Sequence, residues 1–291
     1  MTRIHDFKAL SQINDTYSNY KKEKCDFAPW DKEKIDNYLN EIAATPLSAM
    51  TPVRTPICIT LDLSGSMKNF FESIKFLFTR LTDELMTVGR SARQYTLIIM
   101  VIHNSEPTLR YFGDLKKFNC EEFIKSLPSP YGTTPLAKSF CMADDILKQL
   151  NDTMETNNHW YTVPVFFTIT DSAENGDNND CADAIKRYTK DIQDGKKLFI
   201  EFVTGRNPNG LNLGGYKVPL DGHDSKSKIK LFVEALRGAT SSDVPMDNTS
   251  VIRKPPKENR KDFNEYYSDI MLFNFKMCFE RSNIDESEEE S

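Results

Sequence analysis

Short apolar runs alternate along this chain with longer segments whose apolar residues recur every three or four positions. Ile57-Cys58-Ile59-Thr60-Leu61 is apolar and too brief for a helix, so it reads as a buried strand. A helical period follows, with Phe70, Ile74, Leu77, Leu81, Leu85 and Val88 on one face and Gly89 just past the end as its stop. Residues 95–102 form a second β-rich run, and 108–112 a shorter strand returning after a turn. A helical patch covers 121–127. The next long helix starts at Thr134-Pro135, and Leu136, Phe140, Ala143, Leu147 and Leu150 mark its buried stripe. Thr134 is suited to cap that helix and Pro135 to its first turn. Strands at 163–170 and 198–204 and helices at 181–192 and 229–236 complete the series.

Strands alternating with helices imply an α/β fold with a mostly parallel sheet covered on both faces. The preceding residues, 1–53, are polar and irregular, with one helix expected near 31–42 and a Pro/Thr-rich stretch before the first strand. Residues 54–250 are expected to form the domain. Residues 251–291 form an extension containing Phe263, Tyr266, Tyr267, Ile270, Phe273 and Phe275, ending in an acidic tail.

In a sheet of this kind ligands bind beyond the carboxyl ends of the strands. There the first strand runs into Asp62-Leu63-Ser64-Gly65-Ser66-Met67, a DxSxS pattern. Thr134 follows the loop 129–133, and Asp171 follows the fourth strand. Two carboxylates and three hydroxyls thus converge on one rim, all hard oxygen donors. That set suits Mg2+, or Mn2+, which take oxygen ligands and commonly keep waters. Ser64 and Ser66 alternate in a turn and can face one ion beside Asp62. Two formal negative charges leave a divalent ion under-neutralised, so a further position can accept Glu or Asp from a partner protein. An alternative for Ser66 is simple capping of the first helix, and for Asp171 an ordinary turn.

The five positions, in this order and each after the appropriate element, resemble the metal-ion-dependent adhesion site of von Willebrand factor type A (vWA) domains. The resemblance spans residues 54 to about 250. It implies a doubly wound sheet with 108–112 antiparallel at one edge. It also implies Asp62, Ser64, Ser66 and Thr134 as metal ligands, with Asp171 ligating directly or through water. The stretches 56–67 and 132–136 resemble, more loosely, the intracellular bacterial branch associated with tellurium resistance and stress responses. Ser172 stands where the family often has Gly. The loops bearing Tyr131, Gly132, Thr133, Ser172 and Glu174 border the metal face and are expected to select the partner.

Composition trims the alternatives. The chain has 291 residues, 39% hydrophobic, with a formal net charge of −6. That acidic balance disfavours nucleic acid as a partner. No apolar run approaches the roughly 20 residues of a membrane helix, so a cytoplasmic protein with no membrane partner is expected. The six cysteines include no CxxC pair, which argues against zinc. Residues 171–182 are acidic but place Ala173 and Ala182 where a calcium loop needs oxygen donors. His103, at the end of the second strand, reads as a locally hydrogen-bonded residue. The competing reading, a metal-assisted hydrolase or phosphotransfer protein, would need His103 or Glu174 as its base. The preferred expectation is a non-enzymatic, metal-dependent interaction module.

Overall fold

The computed structural model describes residues 27–45, 54–72, 74–76, 79, 96–157, 159, 161, 164–171, 182–194, 196–204, 213 and 215–219. Among the described residues there are six strands: β1 Thr55–Asp62, β2 Thr96–His103, β3 Pro107–Asp114, β4 Val165–Thr170, β5 Leu198–Val203 and β6 Tyr216–Pro219. The helices with defined bounds are α1 Lys32–Ala44, α2 Cys120–Ser126, α3 Leu136–Thr156 and α4 Ala182–Gln193, and a 3-10 helix spans Gly65–Phe70. The sheet order is β3-β2-β1-β4-β5-β6. Every pair is parallel except β2 with β3, so the expected antiparallel edge strand is β3.

Alternation along each strand divides the core into two layers. Ile57, Ile59 and Leu61 join Ile98, Met100, Val165, Phe167 and Ile200 on one face, under Ile74 and Phe123 of α2. Cys58 joins Leu97, Ile99, Val101, Phe166 and Phe199 on the other, under α1, α3 and α4. Helices therefore cover both faces, which is why β1 and β4 are buried along nearly their whole length. All five residues of the expected α3 stripe are buried. Truncating one of them, Leu147→Ala, would cost about 2–5 kcal/mol.

Some expectations shift. β4 begins at Val165, two residues later than expected; Pro164 has no N–H for the ladder and instead accepts from Leu198 N–H at 3.0 Å. α3 begins at Leu136 with Pro135 at its cap position, and no side chain caps it, so Thr134 is not the cap. β6 was not expected: four residues ending in Pro219 show no apolar run. Residues 71, 72, 74–76 and 79 are helical, as the first helical period requires. Leu77, Leu81, Leu85, Val88 and Gly89, the helix at 229–236 and the segment 251–291 lie outside the described residues.

The described part of the N-terminal extension packs on the core. Phe27 meets Tyr111, Phe118 and Phe123 on one face, while Trp30 and Tyr38 meet Phe112 on the other. Between them Trp30 N–H donates to Leu109 O at 3.0 Å. The segment so crosses the outer edge of β3, a strand edge that would otherwise offer free pairing groups. Asp31 caps α1 through Lys34 N–H at 2.8 Å.

Candidate metal centre

The order of the sheet reverses at β1, which lies between β2 and β4. Asp62 is the last residue of β1, so its neighbours come from two different strands. In the parallel register it pairs with His103 of β2. From β4, Thr170 Oγ1 donates to Asp62 Oδ2 at 2.7 Å. Ser64 N–H donates to Asp62 Oδ1 at 2.8 Å, turning the chain sharply after the strand. Both carboxylate oxygens are thereby fixed in a fully buried side chain.

Three backbone hydrogen bonds tie the surrounding loops together. Leu63 N–H donates to His103 O at 2.7 Å, Tyr131 N–H to Leu63 O at 2.9 Å, and Gly65 N–H to Gly132 O at 3.2 Å. Gly132 makes the last contact with φ of +81°, a backbone state that favours glycine. A Cβ there would also run into the Ser105 hydroxyl and approach Ser105 N to 3.2 Å. This lacing ties Tyr131 and Gly132, which lie just before Thr134 in the chain, to the DxSxS turn.

The hydroxyl groups then declare their use. Ser64 Oγ and Ser66 Oγ hydrogen-bond to each other at 3.0 Å, which holds the two hydroxyls side by side. Ser64 occupies the cap position of the 3-10 helix but makes no side-chain cap bond, and capping does not account for the pair. Thr134 is 1% exposed, and its Oγ1 has no hydrogen-bond partner among the described residues. A buried hydroxyl left alone costs about 1–3 kcal/mol, so such a group asks for a ligand. Asp171 follows Thr170 directly and is half-buried at the same rim.

Electrostatics at Asp62 favour its ionised form. Burial by itself would raise the carboxyl, but the His103 imidazole, 3.7 Å away, and the Ser64 N–H outweigh it and hold it below 3.8. Among the described residues no group of three His, Cys, Asp or Glu side chains could hold a metal. The donors gathered here are instead hydroxyls beside a carboxylate, and that set fits a hard divalent cation.

The structure joins the turn of Asp62, Ser64 and Ser66 to the loop of Tyr131 and Gly132 that leads through Thr133 to Thr134, and puts Asp171 at the end of the neighbouring strand. Tyr131, Gly132 and Thr133 are exposed, Tyr131 by 56%. Ser172 and Glu174 lie outside the described residues. Two contributors had not been assigned their part. Thr170 steadies Asp62, and its only signal in the sequence was its place before Asp171. His103 was expected to make a local hydrogen bond; its ring nitrogens make none among the described residues, and Nε2 faces the Asp62 carboxylate.

No protein-family model matches the chain, and no curated protein matches it. Solved structures do resemble it at low identity. The manganese-loaded TRAP protein of Plasmodium vivax is 19% identical over 55% of this chain and 59% of that one, with a TM-score of 0.39. The human COPII-coat protein Sec24c is 12% identical over 65% of this chain and 32% of that one, at 0.44. The VWA domain of SpRpn10 is 12% identical over 61% of this chain and 95% of that one, at 0.42. The chain thus spans about three-fifths of the first of these and a third of the second. No helix among the described residues is long and apolar enough to cross a membrane.

Proposed function

We propose that this chain is a metal-dependent protein-interaction module of the vWA kind. Asp62, Ser64, Ser66 and Thr134 would hold Mg2+, or Mn2+, with Asp171 ligating directly or through a water. A bound ion of this type supplies a hard, Lewis-acidic centre with room for a carboxylate oxygen. The partner is a protein that presents Glu or Asp there. Tyr131, Gly132 and Thr133, together with the loop of Ser172 and Glu174, would choose among such partners. We place the module in the cytoplasm, in a stress or tellurite-resistance type of response, on the looser resemblance of residues 56–67 and 132–136.

The observation that carries this reading is the Thr134 hydroxyl, buried and without a partner among the described residues, two residues after a loop that is hydrogen-bonded to the turn following Asp62. Ordinary packing would have placed valine there. His103, one of the two bases the hydrolase alternative would need, is fully buried, and its backbone carbonyl accepts from Leu63 N–H. We therefore read the module as non-catalytic.

The test is thermal unfolding with Mg2+, with Mn2+ and with EDTA. Either ion should raise the melting temperature of the wild type, by about 2.7 kcal/mol of stability at a hundred times the dissociation constant. Asp62→Ala should abolish the rise. A response that survives this substitution would reject the assignment. Affinity capture with and without Mg2+ would then identify the partner.

A further inference from the structure

The mechanism proposed above leaves one buried, chemistry-bearing side chain without a task. His103 is 0% exposed, its two ring nitrogens have no hydrogen-bond partner among the described residues, and Nε2 lies 3.7 Å from Asp62 Oδ1. Its place is not an accident of a loop. His103 is the last residue of β2, in register with Asp62. Its own carbonyl accepts from Leu63 N–H, which locks the backbone on both sides of the carboxylate.

A carboxylate has about four lone-pair sites. Ser64 N–H takes one on Oδ1 and Thr170 Oγ1 takes one on Oδ2. If both remaining sites faced the ion, the carboxylate could chelate it through both oxygens and would not share it with the three hydroxyls. We infer that His103 is a positioning residue for the metal centre: its Nε2, 3.7 Å from Asp62 Oδ1 in this structure, closes to a hydrogen bond on that oxygen when the ion binds and leaves Oδ2 as the single oxygen offered to a hard divalent cation. The inference rests on the metal reading of Asp62, Ser64, Ser66 and Thr134. Donors of this kind behind a ligating side chain set metal affinity by about 10–100-fold.

The experiment compares His103→Leu with His103→Gln in the full chain, with Mn2+ alone as the probe, titrated by calorimetry and by loss of the free-ion electron paramagnetic resonance signal. Both variants remove the imidazole ring, but Gln restores an N–H near the position of Nε2. His103→Leu should weaken Mn2+ binding about 10–100-fold, and His103→Gln should recover most of it. Equal weakening in both would assign the ring a packing role and overturn the inference. Affinity unchanged in His103→Leu would overturn it as well, while leaving the metal reading intact so long as Asp62→Ala abolishes binding. A wild-type chain that binds no Mn2+ would reject the metal reading itself, and this inference with it. Should the leucine variant not fold, nitrogen-15 correlation spectra of the wild-type imidazole decide. A proton on Nε2 supports the role; a bare Nε2 with the proton on Nδ1 overturns it.

Discussion

Thr134→Val separates what this fold needs from what its site needs. Valine keeps the branched shape of threonine and removes only the hydroxyl. In the metal-free chain that hydroxyl is 1% exposed and has no partner among the described residues, so its removal relieves a desolvation cost of about 1–3 kcal/mol. For a domain of this size each kcal/mol moves the melting temperature by about 2–4 °C. In EDTA the variant should therefore melt above the wild type. With Mg2+ or Mn2+ at about a hundred times the wild-type dissociation constant, the wild type gains about 2.7 kcal/mol and the variant, short of one ligand, gains little. The ranking should invert between the two buffers. Differential scanning calorimetry in each buffer measures all four values directly. A variant that melts below the wild type in EDTA would show that the hydroxyl has a partner in the metal-free chain. A variant that keeps the full metal increment would show that Thr134 is no ligand. Either result refutes the reasoning.

At the opposite end of the sheet, Lys197 is nearly buried and pairs with Asp144 and, at 3.0 Å, with Asp191. Among the described residues, Lys197→Met leaves the Asp144 charge with the half-exposed Arg187 at 3.7 Å, and it should cost about 3–5 kcal/mol in urea unfolding while leaving Mn2+ affinity unchanged. A loss under about 1 kcal/mol would mean that the pair is screened by solvent. Acid should weaken the metal-free chain through Asp62. Its folded value lies below the ordinary 3.8, so its stabilising contribution is complete above that value and is lost as the pH falls through the folded one. Urea unfolding between about pH 6 and 3 should show a shallower acid slope for Asp62→Asn than for the wild type; equal slopes would exclude Asp62 as a contributor.

The legible parts of the sequence were those where one local pattern decides the outcome. Strands β1 and β4 are apolar on both faces, and such runs have few other readings. The DxSxS turn was legible because its spacing places two hydroxyls on one side. Thr134 was half legible. A Thr-Pro pair before an apolar helix looks like a cap and a first turn, and chain order alone cannot tell that Pro135 takes the cap position while the hydroxyl turns away. β6 was hidden by its length, since four residues ending in proline display no period. The hydrogen bond from Thr170 to Asp62 joins residues 108 apart in the chain, and the approach of His103 depends on strand register. Neither relation leaves a trace in local sequence.

Those two hidden contributions explain why the site belongs on β1 and on no other strand of this sheet. Among the described strands, β1, β4 and β5 each lie between two parallel neighbours. For β4 and β5 the chain advances in one direction across the sheet, whereas at β1 it leaves toward β2 and later returns on the other side as β4. The connections from β1 and from β4 therefore part to opposite sides, which opens a crevice above the end of β1. A carboxylate at that point is reached by a donor from β4, Thr170, and by one from its own turn, Ser64, and is faced by His103 of β2. The Thr134 hydroxyl is 1% exposed and has no partner among the described residues. On the metal reading proposed above, fold stability and metal binding make opposite demands on one oxygen atom, and the threonine at position 134 favours binding.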